Sequence, residues 1–436
     1  MKTIGAIFIT ILTSLFFFPF NSSLMPEVNT KLAMSVFGLM LLGYEAFKKR
    51  NAQFDCSFSI ITLWALAVSG VGVVSVLFNG TSDYTFATYI VSAYVWLSAA
   101  YVVIKAIRWV YGEASLRLVT NFLVAVCAIQ CIISQLTDKY ESVAAWVKSF
   151  VVSTGFMGIP DNRLYGIGCA LDVAGLKFCA VLILLAYFAL HPSRKINVYL
   201  ETGLYILAFG IISVFGSMIS RTTSVGFMIV LAYWMIEFVF KGNSSTSKQY
   251  KYFWRVLFAA LVLFVPLAIY FYHTDAAFYK NLRFGFEGFF SLVETGKWEV
   301  RSNNQLASMV VWPDNFKTWI IGDGYFENPL WSNPYYIGEA STEYYMGTDV
   351  GYCRFVYYFG LVGLAMFCLY FINCAKCCSE KLPQYKILFW LILLMNFIGW
   401  YKVSSDIFPI FALLLLLEKE PMETPIEKIA IEDKIL

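Results

Sequence analysis

Apolar residues in this chain do not alternate with polar ones but run in long unbroken blocks parted by polar stretches. The blocks fall at about 4–20, 32–47, 57–78, 85–104, 117–136, 171–190, 198–219, 224–240, 254–272, 351–372, 387–401 and 407–417. A helix needs about 20 apolar residues to cross a hydrocarbon core of about 30 Å, and each block is that long or nearly so. A membrane β-barrel would require alternation instead. The pattern predicts an all-α polytopic membrane protein with about 12 transmembrane helices. The first block is followed by FPFNSS, with no small-x-small cleavage site, and reads as an uncleaved span rather than a signal peptide. The last is about a turn and a half short, so it is expected to begin deeper or lean on Pro409.

The polar stretches set the orientation. Lys48-Lys49-Arg50 closes the second block, and the enrichment of Lys and Arg in cytoplasmic loops places that triplet and the N-terminus inside. Alternating crossings then bring Lys105, Arg108 and Arg117, the run His191-Pro192-Ser193-Arg194-Lys195, Lys248 and Lys251, and Lys376, Lys381 and Lys386 to the same side. The chain divides into residues 1–272, with helices 1 to 9 and an outer segment at about 137–170; residues 273–348, one large outer loop between helices 9 and 10; residues 349–417, with helices 10 to 12; and a cytoplasmic tail, 418–436.

Composition agrees. Charged residues make up 14% of the chain and hydrophobic ones 59%, against about 25% charged in soluble proteins. The net charge of +3 is spread in small groups, which gives no footprint for nucleic acid. Most of the ten cysteines lie inside apolar blocks, where a thiol behaves as a small hydrophobe, so no structural disulfide is expected. Cys374 and Cys377 have CxxC spacing, but no His or second pair accompanies them, and they read as the end of a membrane helix. No inverted repeat of the transporter kind is visible.

Candidate chemistry gathers on the outer side. Arg163, Arg221 and Arg354 sit near the outer membrane surface, with Arg283 and Arg301 in the large loop. Short outer loops avoid arginine, so these are either interfacial anchors or functional. The guanidinium fork binds phosphate oxygens bidentately, which suits a diphosphate at the outer leaflet. Asp349, at the membrane edge, is a candidate general base, and His273, an interfacial residue by the bland reading, is its rival. Asp323, Glu339 and Glu343 are further carboxylates on this side, while Asp172 and Lys177 are expected to neutralise each other. Trp312 and its aromatic neighbours are either core or sugar-stacking rings. No His/Asp/Glu cluster has metal-ligand spacing.

Four motifs in order carry a resemblance: Arg163-Leu164-Tyr165-Gly166 ahead of Asp172; Ser220-Arg221-Thr222-Thr223-Ser224; Arg301 and Trp312 followed by Gly322-Asp323-Gly324; and Asp349 eleven residues before Gly360-Leu361-Val362-Gly363. Together, over about residues 155–375, they resemble the O-antigen polymerase and O-antigen ligase superfamily of bacterial membrane glycosyltransferases. Ligases have a histidine where this chain has Asp349, so the resemblance favours a polymerase. It implies undecaprenyl-diphosphate-linked oligosaccharides as donor and acceptor, growing an O-antigen, capsule or exopolysaccharide at the periplasmic face of the inner membrane. It further implies Asp349, Arg221 and Arg163 as catalytic residues and Arg301, Trp312 and Asp323 as substrate-binding ones, to which their outer placement adds Arg354, Arg283 and His273. The diphosphate is already activated, so no cofactor and no obligatory metal is expected. A chain-length regulator is a candidate partner besides the bilayer. The alternatives are a ligase acting on lipid A core or protein, and a flippase for the same lipid-linked glycan.

Overall fold

The computed structural model describes residues 2–48, 56–152, 164–193, 197–241, 247–330 and 343–419. Every apolar block coincides with a helix. In chain order these are α1 (Lys2–Phe17), a hairpin of β1 (Asn21–Ser22) and β2 (Met25–Asn29), α2 (Thr30–Lys48), α3 (Cys56–Asn79), α4 (Tyr89–Tyr111), α5 (Leu116–Lys139) and a short α6 (Glu141–Phe150). There follow α7 (Leu171–Leu190), α8 (Val198–Ile219), α9 (Thr222–Lys241) and α10 (Ser247–Thr274). The large loop holds α11 (Ala276–Gly285), α12 (Glu287–Thr295), α13 (Arg301–Ser308) and α14 (Phe316–Ile321). The chain then returns through α15 (Gly351–Lys381), α16 (Lys386–Gly399) and α17 (Phe408–Leu415).

Among the described residues, eight helices are long and apolar enough to cross a membrane: α3, α4, α5, α7, α8, α9, α10 and α15. α1 and α16 are shorter apolar helices. The eight residues of α17 give only about 12 Å of helix, well short of a 30 Å core. α17 is wholly buried, and its last carbonyls are taken from two sides: Lys381 Nζ donates to Leu415 O at 2.7 Å and Arg108 Nη2 to Leu416 O at 3.0 Å. These bonds explain why α4 and α15 outrun their apolar blocks, since each long basic side chain must reach a helix end that lacks acceptor partners of its own. Lys105, Arg108 and Lys376 accordingly lie on the C-terminal turns of these helices rather than in loops, and Cys374, Cys377 and Cys378 lie near the end of α15, as expected.

α7 is the central element. Past Asp172 and Lys177 it is apolar all round, the signature of a helix enclosed by others, and it packs against α5, α8, α9 and α16. α10, leaning on α8, lies at the opposite extreme and exposes Phe258, Leu261, Val262 and Leu263.

α15 is broken at Phe359 and Gly360, the latter at φ 67° and ψ −172°, a region only glycine enters without strain. The break releases the carbonyls of Tyr357 and Tyr358. The turn after α14 collects them, with Asp323 N donating to Tyr357 O at 2.6 Å and Gly324 N to Tyr358 O at 3.1 Å; Ser75 Oγ of α3 adds a bond to Tyr358 O at 2.6 Å. The end of the large loop is thereby bolted to the membrane helices eleven residues beyond Asp349.

Candidate functional site

The N-terminal end of α7 opens onto a cavity of about 600 Å³, walled by the β hairpin, the 164–173 stretch, α13 and the approach to α15. Its polar lining includes Asp172, Ser302, Gln305, Tyr344, Asp349 and Lys402. A second cavity of about 220 Å³ lies beyond it, lined by Arg221, Glu287, Trp298, Asn303 and again Lys402.

Asp172 organises the wall between them. It is the second residue of α7, after Leu171 at φ 55°, a left-handed conformation a branched side chain rarely adopts. Its Oδ1 accepts from Ser220 Oγ at 2.8 Å and Thr222 Oγ1 at 2.6 Å and pairs with Lys402 Nζ at 2.9 Å. The α8–α9 turn reaches it because Gly175 has no side chain: a Cβ there would stand 2.5 Å from Ser220 Oγ. Asp172 and Lys177 therefore do not neutralise each other. Lys177 is buried further along α7, donating to Phe17 O among the rings of Phe17, Phe18 and Trp96.

Arg221 follows Ser220 on that turn. Its Nε donates to Phe284 O at 3.0 Å, its plane lies 4.1 Å from the Phe284 ring centre, and Nη2 is 2.9 Å from Glu287 Oε2. The guanidinium thus faces the smaller cavity with a carboxylate beside it.

Asp349 differs from its neighbours. Half-buried in the larger cavity, its carboxylate makes no hydrogen bond or ion pair with any described residue. Burial pushes its pKa above the usual carboxylate value, and the positive charge of Arg354 offsets only part of that rise. Arg354 is occupied elsewhere. It is clamped between the rings of Phe326 at 3.7 Å and Tyr344 at 3.8 Å and donates to Ser404 Oγ at 2.7 Å and Phe326 O at 3.1 Å. It ties the large loop to the α16–α17 turn and lines neither cavity.

The remaining expected residues lie outside both linings. Arg283 forms a fork with Glu294, both contacts at 2.7 Å, which lowers the Glu294 pKa and raises that of the arginine. His273 is exposed, edge-on to Tyr272. Trp312 stacks on Trp319 with ring centres 5.5 Å apart. Asp323 holds Lys317 and Thr318 Oγ1 at the α14 turn. Arg301 begins α13 exposed, although the next turn supplies Ser302 and Gln305 to the larger cavity and Asn303 to the smaller. Arg163 and Glu339 lie outside the described residues.

Sequence reasoning thus brought Asp349 and Arg221 to adjoining cavities and missed Lys402, which lines both. The signal was present. Lys402 is a cation on a short loop that the expected topology places on the outer side, the argument that had singled out Arg221. Among the described residues, no three His, Cys, Asp or Glu side chains group to hold a metal. No family model, curated protein or solved structure matches this chain.

Proposed function

We propose that this protein is a membrane glycosyltransferase that polymerises undecaprenyl-diphosphate-linked oligosaccharide repeat units. In this reading all twelve apolar blocks cross the bacterial inner membrane, both termini are cytoplasmic and the two cavities face the periplasm. The meeting of the C-terminal ends of α4, α15 and α17, through Arg108 and Lys381, supports a common inner face for those basic residues.

The observation that carries the reading is the unpartnered Asp349 carboxylate in a polar cavity, one wall away from Arg221. A base must reach a proton and must not already be committed to a partner. Asp349 takes the proton of an acceptor sugar hydroxyl, whose oxygen bonds to the anomeric carbon of the donor. The bond from that carbon to the diphosphate breaks, and its electron pair leaves with the diphosphate. Arg221 stabilises the charge that grows there, an effect worth several kcal/mol in such sites.

The test is incubation of the purified protein in detergent with a lipid-linked repeat unit, with dimers and longer products as readout. Asp349→Asn and Arg221→Ala are expected to lose product by at least about 100-fold at normal protein level. Normal long chains from either variant overturn its assignment. Transfer to a lipid A core without elongation would replace polymerase by ligase.

A further inference from the structure

Among the described residues, Lys402 is the one charged side chain that lines both cavities, and it also lines a narrow neck at Asp172, Ser220, Arg221 and Phe284 that shares lining residues with each of them. Its ammonium rests 2.9 Å from Asp172 Oδ1 and 3.3 Å from Thr222 Oγ1, with 18% of the side chain exposed. We propose that Lys402 is a diphosphate-binding residue, which leaves Asp172 to hold the lipid diphosphate across the neck while the glycan lies beside Asp349. The inference rests on the glycosyltransferase reading and adds a residue and a placement of substrate to it.

Three features carry it. At rest, the charges of Arg221 and Lys402 are matched by those of Glu287 and Asp172, so an anion must displace a carboxylate to bind. Asp172 keeps two hydroxyl donors, Ser220 and Thr222, when Lys402 departs, so departure leaves no orphaned buried carboxylate. Arg221, by contrast, is fixed by a backbone carbonyl and a ring. A lysine is a point charge on a flexible four-carbon stem, and that makes it the exchangeable cation of the pair. The smaller cavity, about 220 Å³, has room for a diphosphate headgroup but not for an oligosaccharide, which points the glycan toward the larger one.

The test measures binding of farnesyl diphosphate to the purified full chain in detergent, read by tryptophan fluorescence, since Trp298 lines the smaller cavity. Inorganic diphosphate serves as competitor, to separate headgroup from tail. K402A is expected to weaken binding by about tenfold or more, and K402R to stay within about threefold of wild type. D172N, which removes the resting counter-ion, is expected to tighten binding several-fold. Thermal unfolding of each variant is recorded alongside. A K402A protein that melts earlier yet binds with wild-type affinity makes Lys402 a structural partner of Asp172 and overturns the proposal, as does a wild type that binds no isoprenoid diphosphate. Because the readout is binding, K402-dependent affinity without any polymer product would overturn the activity and leave the diphosphate site standing. Polymerisation with unaltered K402A binding would do the reverse.

Discussion

Replacing Gly360 by alanine tests whether the large loop is bolted to the membrane helices as described. The backbone there has φ 67° and ψ −172°, and a Cβ would stand 2.1 Å from the carbonyl oxygen of Ile320 and 2.2 Å from its carbon. Neither atom can swing aside, because both belong to the backbone of α14. If the backbone holds, alanine carries strain of about 1–3 kcal/mol from its conformation alone. The overlap must also push α14 away from the break. That endangers the two hydrogen bonds that the turn after α14 gives to Tyr357 O and Tyr358 O, each worth about 1 kcal/mol. The sum is about 3–5 kcal/mol. Reversible unfolding in mixed detergent, followed by tryptophan fluorescence, measures it. Gly70→Ala is the control, since nothing lies within 4 Å of a Cβ added at that position of α3, and it is expected to cost nothing or to gain up to about 1 kcal/mol. A Gly360→Ala protein within about 1 kcal/mol of wild type, well inside the strain expected at such a site, would refute the reasoning. The break would then be an incidental bend, with no part in anchoring the loop.

Asp349 predicts a pH dependence. Its pKa is raised above 3.8 by burial, so a base that must be ionised loses activity at pH values above those where an ordinary aspartate would, and Asp349→Asn removes the acid limb along with the activity. The folded state holds this proton more tightly than the unfolded one, so the carboxyl's contribution to stability falls as pH rises from the ordinary value through the raised one. Asp349→Asn should abolish that slope in pH-dependent melts and be no less stable at neutral pH. Glu287→Gln removes the charge 2.9 Å from Arg221 and should tighten isoprenoid diphosphate binding several-fold while costing about 1 kcal/mol of stability, the pair being partly exposed; weaker binding would show that Glu287 orients Arg221 rather than competing for it. Arg354→Ala should cost about 3 kcal/mol through two lost hydrogen bonds and two lost ring contacts, and Arg354→Lys should not rescue it, because the clamp between Phe326 and Tyr344 requires a planar group.

Much of the fold was legible because lipid leaves a chain few options. Backbone groups with no water to bond must close their bonds within the segment, so long apolar blocks become helices wherever they occur. The blocks at 171–190 and 198–219 became α7 and α8 with those very bounds. The misplacements occurred where the chain carried polar side chains into apolar surroundings for a tertiary reason. α4 and α15 continue past their apolar blocks because Arg108 and Lys381 find carbonyls at the end of α17, a partner some hundreds of residues from one and 34 from the other. No local window contains that information. The Gly322 and Gly360 motifs were visible as spacings, but their meeting across the break in α15 was not.

The candidate site divides along the same line, between residue type and residue commitment. Sequence identifies which side chains can carry charge, and the expected topology narrows them to one face. It does not reveal which charges are already spent. Arg354 and Asp349 looked equivalent, five positions apart at a membrane edge. One is consumed by two rings, a serine and a carbonyl, the other faces a cavity without a partner. Arg283 is spent on Glu294 and Asp323 on the α14 turn, whereas Lys402 is paired with an aspartate that can release it, having two other donors. A buried or half-buried charge is costly unless compensated, so its degree of compensation separates struts from reagents. By that measure Asp349, without a hydrogen bond or ion pair to any described residue, and Lys402, replaceably compensated, are the groups on which the proposed substrate would draw.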